Sequence, residues 1–294
     1  MMRRGDFLAH VGWTGAGITF ALDGLGLFSP VAADAATGFS FVQISDSHIG
    51  FKQPANPDVT GTLKNAIERI NALPVQPAFV VHTGDITHLA TAAQFDDAKQ
   101  LLSTLRAPVL TIPGEHDAIG SEGMARYKAA FGRAGEPNPW YSWDQGGTHF
   151  VALVNVFNFE TMGLLGQEQL DWLDKDLARY KNDTPLVVFG HVPLYALYPK
   201  WGWTTEDGGK ALAMLRRFSS VTVLNGHIHQ IVTHREGNLR FYTAAATAYP
   251  QPAPGTAEKP GPLAVPPDRL LHVIGYRTVA VEAAVDTVAD HELA

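Results

Sequence analysis

The sequence predicts an α/β fold, on three observations. Apolar, β-branched runs alternate along the chain with segments of helical periodicity. Several of these runs are continuously apolar, as strands buried on both faces are. Most end at once in a short polar cluster that contains glycine.

Phe39-Ser40-Phe41-Val42-Gln43-Ile44 reads as the first strand. Residues 60–73 place Leu63, Ala66, Ile67, Ile70 and Leu73 at helical spacing. Pro77 to His82 is the second strand, and residues 92–105 form a helix with Phe95, Ala98, Leu101, Leu102 and Leu105 on one side. Pro108 to Ile112 is the third strand, stopped by Pro113-Gly114, and Phe150 to Val154 is the fourth. A helix over 167–180 buries Leu170, Leu173 and Leu177, and Leu186 to Phe189 and Val221 to Leu224 are two further strands. Trp140, Tyr141 and Trp143, just before the fourth strand, read as core. Residues 249–267 hold seven of the nineteen prolines and read as a surface loop. Leu270 to Val281 returns to a strand pattern, and Thr287 to Ala294 reads as a loose tail. Residues 36–294 show no repeat and no internal boundary, so they read as a single domain.

The first 35 residues read differently. Arg3 and Arg4 make a basic start, residues 11–28 are weakly apolar and rich in glycine, and Ala33-Asp34-Ala35 fits a small-x-small cleavage site. Arg3-Arg4-Gly5-Asp6-Phe7-Leu8 is similar to a twin-arginine signal, which predicts export to a bacterial periplasm. Asp23 would cost about 2.5 to 3.5 kcal/mol at a bilayer centre, so stable membrane insertion is not expected. If residues 1–35 are not a signal, the protein is cytoplasmic. The net charge of -7, without a basic stripe, argues against a nucleic-acid polymer as partner. With no cysteine, neither a disulfide nor a thiolate zinc site is possible. Nothing in the chain predicts its oligomeric state.

The polar clusters are Asp46-Ser47-His48, Gly84-Asp85, Gly114-Glu115-His116-Asp117, Gly190-His191 and Gly226-His227-Ile228-His229. Ligands of open α/β sheets gather beyond the carboxyl ends of the strands, so these clusters converge on one edge. Glycines 84, 114, 190 and 226 allow sharp turns and a close approach of backbone to ligand. The donors are imidazole and carboxylate without sulfur, which suits zinc, manganese, iron or cobalt better than calcium. The clusters hold nine such side chains, more than one tetrahedral ion takes, and suit two ions about 3.5–4 Å apart, an arrangement that hydrolyses phosphate esters.

In order and content these five blocks closely resemble the calcineurin-like metallophosphoesterases, whose pattern is Asp-x-His, Gly-Asp, Gly-Asn-His-Asp/Glu, a lone His and Gly-His-x-His. The likeness covers roughly residues 39–247. It implies a four-layer α/β/β/α sandwich of two mixed β-sheets flanked by helices. It also implies two divalent or mixed-valence transition metals, manganese, iron or zinc. Asp46, His48 and His229 would hold one ion, position 115, His191 and His227 the other, and Asp85 would bridge them. Hydroxide held between the ions would attack phosphorus in line, with His116 touching the phosphate and protonating the leaving oxygen. The Asp-x-His branch resembles cyclic-nucleotide and glycerophosphodiester hydrolases. A small phosphodiester is therefore the expected substrate, ahead of a monoester (nucleotidase or general phosphatase) and of a catalytically weak metal-binding module.

One position departs from the pattern. Glu115 stands where the family has a neutral Asn. Three carboxylates then face two divalent ions, and a bridging hydroxide would bring the centre to neutrality. The second ion should be held more tightly and an anionic phosphate attracted less.

Other residues carry weaker expectations. Asp117 could orient His116 as a carboxylate behind a functional imidazole, or cap a local turn. His88 could be a further metal ligand but reads better as a rim residue, and His82 and His149 read as hydrogen-bonded core histidines. Tyr195, Tyr198, Trp201 and Trp203 could cover an apolar alcohol or stack a base, or simply pack on the sheet edge. Tyr249 and Gln251 are expected at the far wall of the cleft.

Overall fold

A computed structural model describes residues 38–133, 136–156, 163–282 and 286–294. The expected export signal, residues 1–35, lies outside them. Among the described residues no helix is long and apolar enough to cross a membrane.

Eleven strands are described: β1 (Phe39–Ile44), β2 (Val80–His82), β3 (Val109–Thr111), β4 (Tyr141–Gln145), β5 (Thr148–Ala152), β6 (Leu186–Gly190), β7 (Val221–Asn225), β8 (Val232–Glu236), β9 (Leu239–Thr243), β10 (Gly275–Val281) and β11 (Thr287–Glu292). They form two sheets, ordered β11-β10-β1-β2-β3 and β4-β5-β6-β7-β9-β8. Both are mixed: β1, β2 and β3 run parallel while β10 and β11 pair antiparallel. In the second sheet β5, β6, β7 and β9 are parallel, and β4 and β8 are antiparallel edges.

The strands are buried on both faces, as their unbroken apolar character predicts. Val42 and Ile44 of β1 pack under helices α1 (Val59–Asn71), α2 (Ala92–Leu102) and α3 (Gly123–Phe131), whereas Phe41 points between the sheets. Val187 and Phe189 of β6 meet Phe41 there, while Leu186 and Val188 face helices α4 (Gln167–Leu177) and α5 (Gly208–Leu215). Helices, sheet, sheet and helices thus form the expected four layers. Phe41 and Phe79 stack at the centre, with centroids 4.8 Å apart and planes 9° from parallel.

Polar atoms also cross between the sheets. Arg277 of β10, wholly buried, donates to the carbonyl of Thr243 on β9 and to Asp290 on β11. Gln43 of β1 donates to the carbonyl of Asn225 on β7. Burial of these groups is tolerable because each has a partner.

Several elements depart from expectation. Thr287–Glu292 is not a loose tail but edge strand β11, and the side chain of Leu293 is fully buried against the helix-side core. The strand expected from Leu270 begins only at Gly275, because Pro267–Leu270 form a short helix, α6, started by proline at its first turn. Helix α2 ends at Leu102 and α4 at Leu177, each three residues early. Trp140 and Tyr141 are core, and Trp143 stacks on Phe150 and Phe189.

Candidate metal centre

The centre lies where the carboxyl ends of both sheets meet. Exit loops of β1 and β2 are laced together, with Asp46 N donating to Gly84 O (3.0 Å) and His48 N to Asp85 O (2.9 Å). Those of β6 and β7 are joined through Gly226 N and His191 O (3.0 Å). The two halves close on each other where His227 N donates to the Asp46 carboxylate (3.1 Å to Oδ1). Asn225 and Asn155 side chains donate to the carbonyls of Gly190 and Val192, fixing the segment that bears His191.

The local backbone is unusual. Among the described residues, six other than glycine have positive φ, and five are Asp46, His48, Asp85, His227 and His229. A left-handed residue with a branched or bulky side chain is costly, and such strain gathers at functional sites. Gly84 (φ +102°) and Gly226 serve the same packing, because a Cβ at either would collide with His191 or with Ser45 and Asp46. Gly190 is different: an added Cβ would meet nothing closer than 3.4 Å, so close approach does not explain it.

All seven expected ligands come together. Asp46, His48 and His229 form one group able to hold an ion, and Glu115, His191 and His227 form another. Asp85 Oδ2 lies 3.5 Å from both His48 Nε2 and His191 Nε2, between the two groups. Glu115 reaches across the second group, its oxygens 2.8 Å from His191 Nε2 and 2.8 Å from His227 Nδ1.

Tautomers are set from behind. Nδ1 of His191 donates to Thr83 O (2.7 Å) and Nδ1 of His229 to Tyr249 O (2.6 Å), so the Nε2 lone pairs face inward. Thr83 was not foreseen as a site residue, since any residue type can supply a carbonyl. Tyr249 also lays its ring on His48 (5.0 Å, 25°), and Gln251 Nε2 donates to His227 O (2.9 Å).

The residues fit a dinuclear centre on two grounds. First, with His191 neutral and its Nδ1 donating to Thr83 O, its buried Nε2 faces the buried Glu115 Oε2 at 2.8 Å with no proton between them. Leaving such atoms unsatisfied is expensive unless a cation satisfies them. Second, the field favours positive charge. Burial pushes the His191 pKa down, but the carboxylates of Asp85 and Glu115 outweigh it and hold it well above the ordinary value. Burial pushes the Glu115 carboxyl up, but the charges of His227 and His191 hold it well below its usual range. His48 is driven far down by burial and by His116, His229 and His88, which keeps its ligand lone pair free.

His116 stands beside this centre. Its backbone N–H donates to Asp85 Oδ1 (2.8 Å), and its Nδ1 donates to the carbonyl of His88 (2.7 Å). Asp117 makes no such contact with the imidazole. Its carboxylate accepts from the backbone of Ile86, Thr87 and Gly114 and from the Thr87 hydroxyl. Of its two expected roles the geometry supports the cap: Asp117 clamps the β2 exit to the β3 exit, and the contact expected of it passes to the His88 carbonyl.

His82 and His149 are buried and hydrogen-bonded, through Ser47 and through Asp144 and Asp176. The aromatic loop packs instead of opening onto the cleft. Trp201 and Trp203 close over Ile228, and Tyr195 stacks on His234 (4.7 Å, 22°).

Fold and site define a metal-dependent phosphoric ester hydrolase. Residues 39–231 match the Calcineurin-like phosphoesterase family, and the chain belongs to that family. It is 28% identical over 230 residues to a probable glycerophosphodiester phosphodiesterase GpdQ of Arcobacter nitrofigilis, covering 71% of this chain and 78% of that one. It is 24% identical over 217 residues to a 3',5'-cyclic-nucleotide phosphodiesterase of a Nostoc species, covering 71% and 79%. Among solved structures, a dimetal phosphatase from Danio rerio superposes with a TM-score of 0.62 at 16% identity, covering 86% of this chain and 98% of that one.

Proposed function

We propose that this chain is an exported dinuclear phosphodiesterase acting on small phosphodiesters. Asp46, His48 and His229 hold one transition-metal ion, Glu115, His191 and His227 the other, and Asp85 is shared. When bound, the ions supply a nucleophilic hydroxide near neutral pH and Lewis acidity toward the phosphoryl oxygens. His116 supplies the remaining proton chemistry. Its Nδ1 is committed to the His88 carbonyl, which leaves Nε2 to donate to a phosphoryl oxygen and then to the leaving oxygen. Burial opposes its protonated form, but the carboxylates of Asp85 and Glu115 outweigh burial and raise its pKa.

The observation that carries the preference for diesters is the position of Glu115, with an oxygen 2.8 Å from each histidine of the second group. As a ligand there it makes a third carboxylate, so a dianionic monoester is repelled more than a monoanionic diester. The names of the two phosphodiesterase relatives agree with that preference. Export is supported by the basic start and the small-x-small motif of residues 1–35. It is tested by finding the chain, shortened at its N-terminus, in the periplasmic fraction of its host.

The enzymatic test compares bis(p-nitrophenyl) phosphate with p-nitrophenyl phosphate after reconstitution with manganese, zinc or iron. Diester turnover should exceed monoester turnover. Faster monoester turnover with every metal overturns the assignment.

A further inference from the structure

Large apolar side chains are seldom left in water without a reason when they gather at one place. Among the described residues five are exposed: Val75, Leu89, Ile119, Ile231 and Leu263. Four of them lie within two residues, or one backbone hydrogen bond, of segments that carry residues of the metal centre. Leu89, 53% exposed, follows His88, whose carbonyl holds His116. Ile119, 43% exposed, lies two residues past the 3-10 turn Glu115–Asp117. Ile231, 53% exposed, lies two residues past His229.

Leu263 is distant in sequence but not in space. Its N–H donates to the carbonyl of Pro250 (2.9 Å), next to the Tyr249 carbonyl that accepts from His229. The proline-rich loop carrying Leu263 is also pinned to the histidine segment. Gln230 donates to the carbonyl of Gln251 (3.0 Å), and Gln251 donates to that of His227 (2.9 Å) while accepting from Gly261 N (3.1 Å). Proline and these bonds stiffen the loop, so Leu263 is presented with little entropy left to lose on binding.

The polar floor of the site is built from Asp, Glu and His. We propose, on the phosphodiesterase reading above, that the substrate is a phosphodiester of an apolar alcohol, aliphatic or aryl. The phosphodiester lies on the metal floor, and the apolar group covers a rim formed by Leu89, Ile119, Ile231 and Leu263. Water is the co-reactant. Its oxygen bonds to phosphorus as one P–O ester bond breaks, and the departing alkoxide takes a proton and leaves as the alcohol.

The test is a series of p-nitrophenyl alkyl phosphates with methyl, butyl and hexyl groups, kept below aggregating concentrations. kcat/KM should rise with chain length, through KM, by up to about fourfold per methylene. Leu89→Ser combined with Ile231→Ser should flatten that rise. Val75→Ser, in the connection between α1 and β2 at the opposite end of the strands, should keep it. No turnover of any diester sinks the phosphodiesterase reading and this inference with it. Turnover indifferent to chain length sinks this inference alone. A flat series together with binding to phosphatidylcholine vesicles overturns it in favour of a lipid-facing patch.

Discussion

The imidazoles of His88 and His116 lie face to face, with ring centroids 4.9 Å apart and planes 17° from parallel. The pair is tied again by the bond from His116 Nδ1 to the His88 carbonyl, and His88 Nδ1 lies 3.4 Å from Nδ1 of His48. A residue read from sequence as rim therefore touches both the first ligand group and the proposed acid. His88→Ala keeps the carbonyl but removes the stacking ring. It should lower kcat on alkyl diesters by roughly 10-fold, in the range of lost orienting partners, with metal content unchanged. His116→Ala should cost roughly 10² to 10⁴. If His88→Ala slows alkyl and aryl leaving groups equally, His88 works through His48 and not through the acid.

Glu115→Asn restores the neutral residue of the family pattern. It removes the two 2.8 Å approaches to His191 and His227 and one of three carboxylates. Occupancy of the second ion, measured by elemental analysis after dialysis against limiting manganese, should fall. The ratio of monoester to diester turnover should rise, because a dianion then meets a more positive centre. If stoichiometry and ratio both match wild type, the carboxylate at this position is incidental.

How much of this was legible beforehand follows from what each residue does. Strands such as β1 and β6 are continuous apolar runs, and the ligands follow them directly, so order alone brought the seven side chains to one edge. Strand β8 was not foreseen because Val232 to Glu236 is a half-exposed edge whose polar residues mask its period. Strand β11 was not foreseen for the same reason, since it is an edge built of Thr, Asp, His and Glu. Around the site, the roles carried by side-chain chemistry were readable. Those carried by carbonyls were not, because Thr83, His88 and Tyr249 contribute an atom that every residue has.

Asp117 separates structural from catalytic support. Its carboxylate accepts three buried backbone N–H groups and the Thr87 hydroxyl. Burial and the charge of Asp85 raise its pKa to about 6, against the pull of those donors. Asp117→Ala would strand them, at about 1–3 kcal/mol for each donor left without water or another partner. At roughly 2–4 °C per kcal/mol for a domain of this size, four stranded donors should lower the melting temperature by about 8 °C or more, with weaker metal retention. A variant that melts like wild type but turns over slowly would show instead that Asp117 serves His116 directly.

Acid stability also depends on a carboxylate away from the metal centre, Asp176. His149 is buried with one ring nitrogen 2.8 Å from Asp144 and the other 2.8 Å from Asp176, which also accepts from Ser142 (2.8 Å) and pairs with Arg179. Burial pushes the Asp176 carboxyl up, but hydrogen bonds from His149 and Ser142 and the charges of His149 and Arg179 hold it below its ordinary value of 3.8. A depressed folded pKa means that the unfolded chain binds more protons in that window, so stability rises with pH through it. The contribution is fully present above the unfolded pKa, about 3.9, and is lost as pH falls through the lower folded value. Asp176→Asn should therefore melt several degrees below wild type at pH 7. The gap between the two should close progressively below about pH 4. Loss of metal in acid affects both proteins alike and cancels in the difference. A gap that stays constant from pH 7 to pH 3 would mean that Asp176 acts through packing and hydrogen bonding and not through its charge.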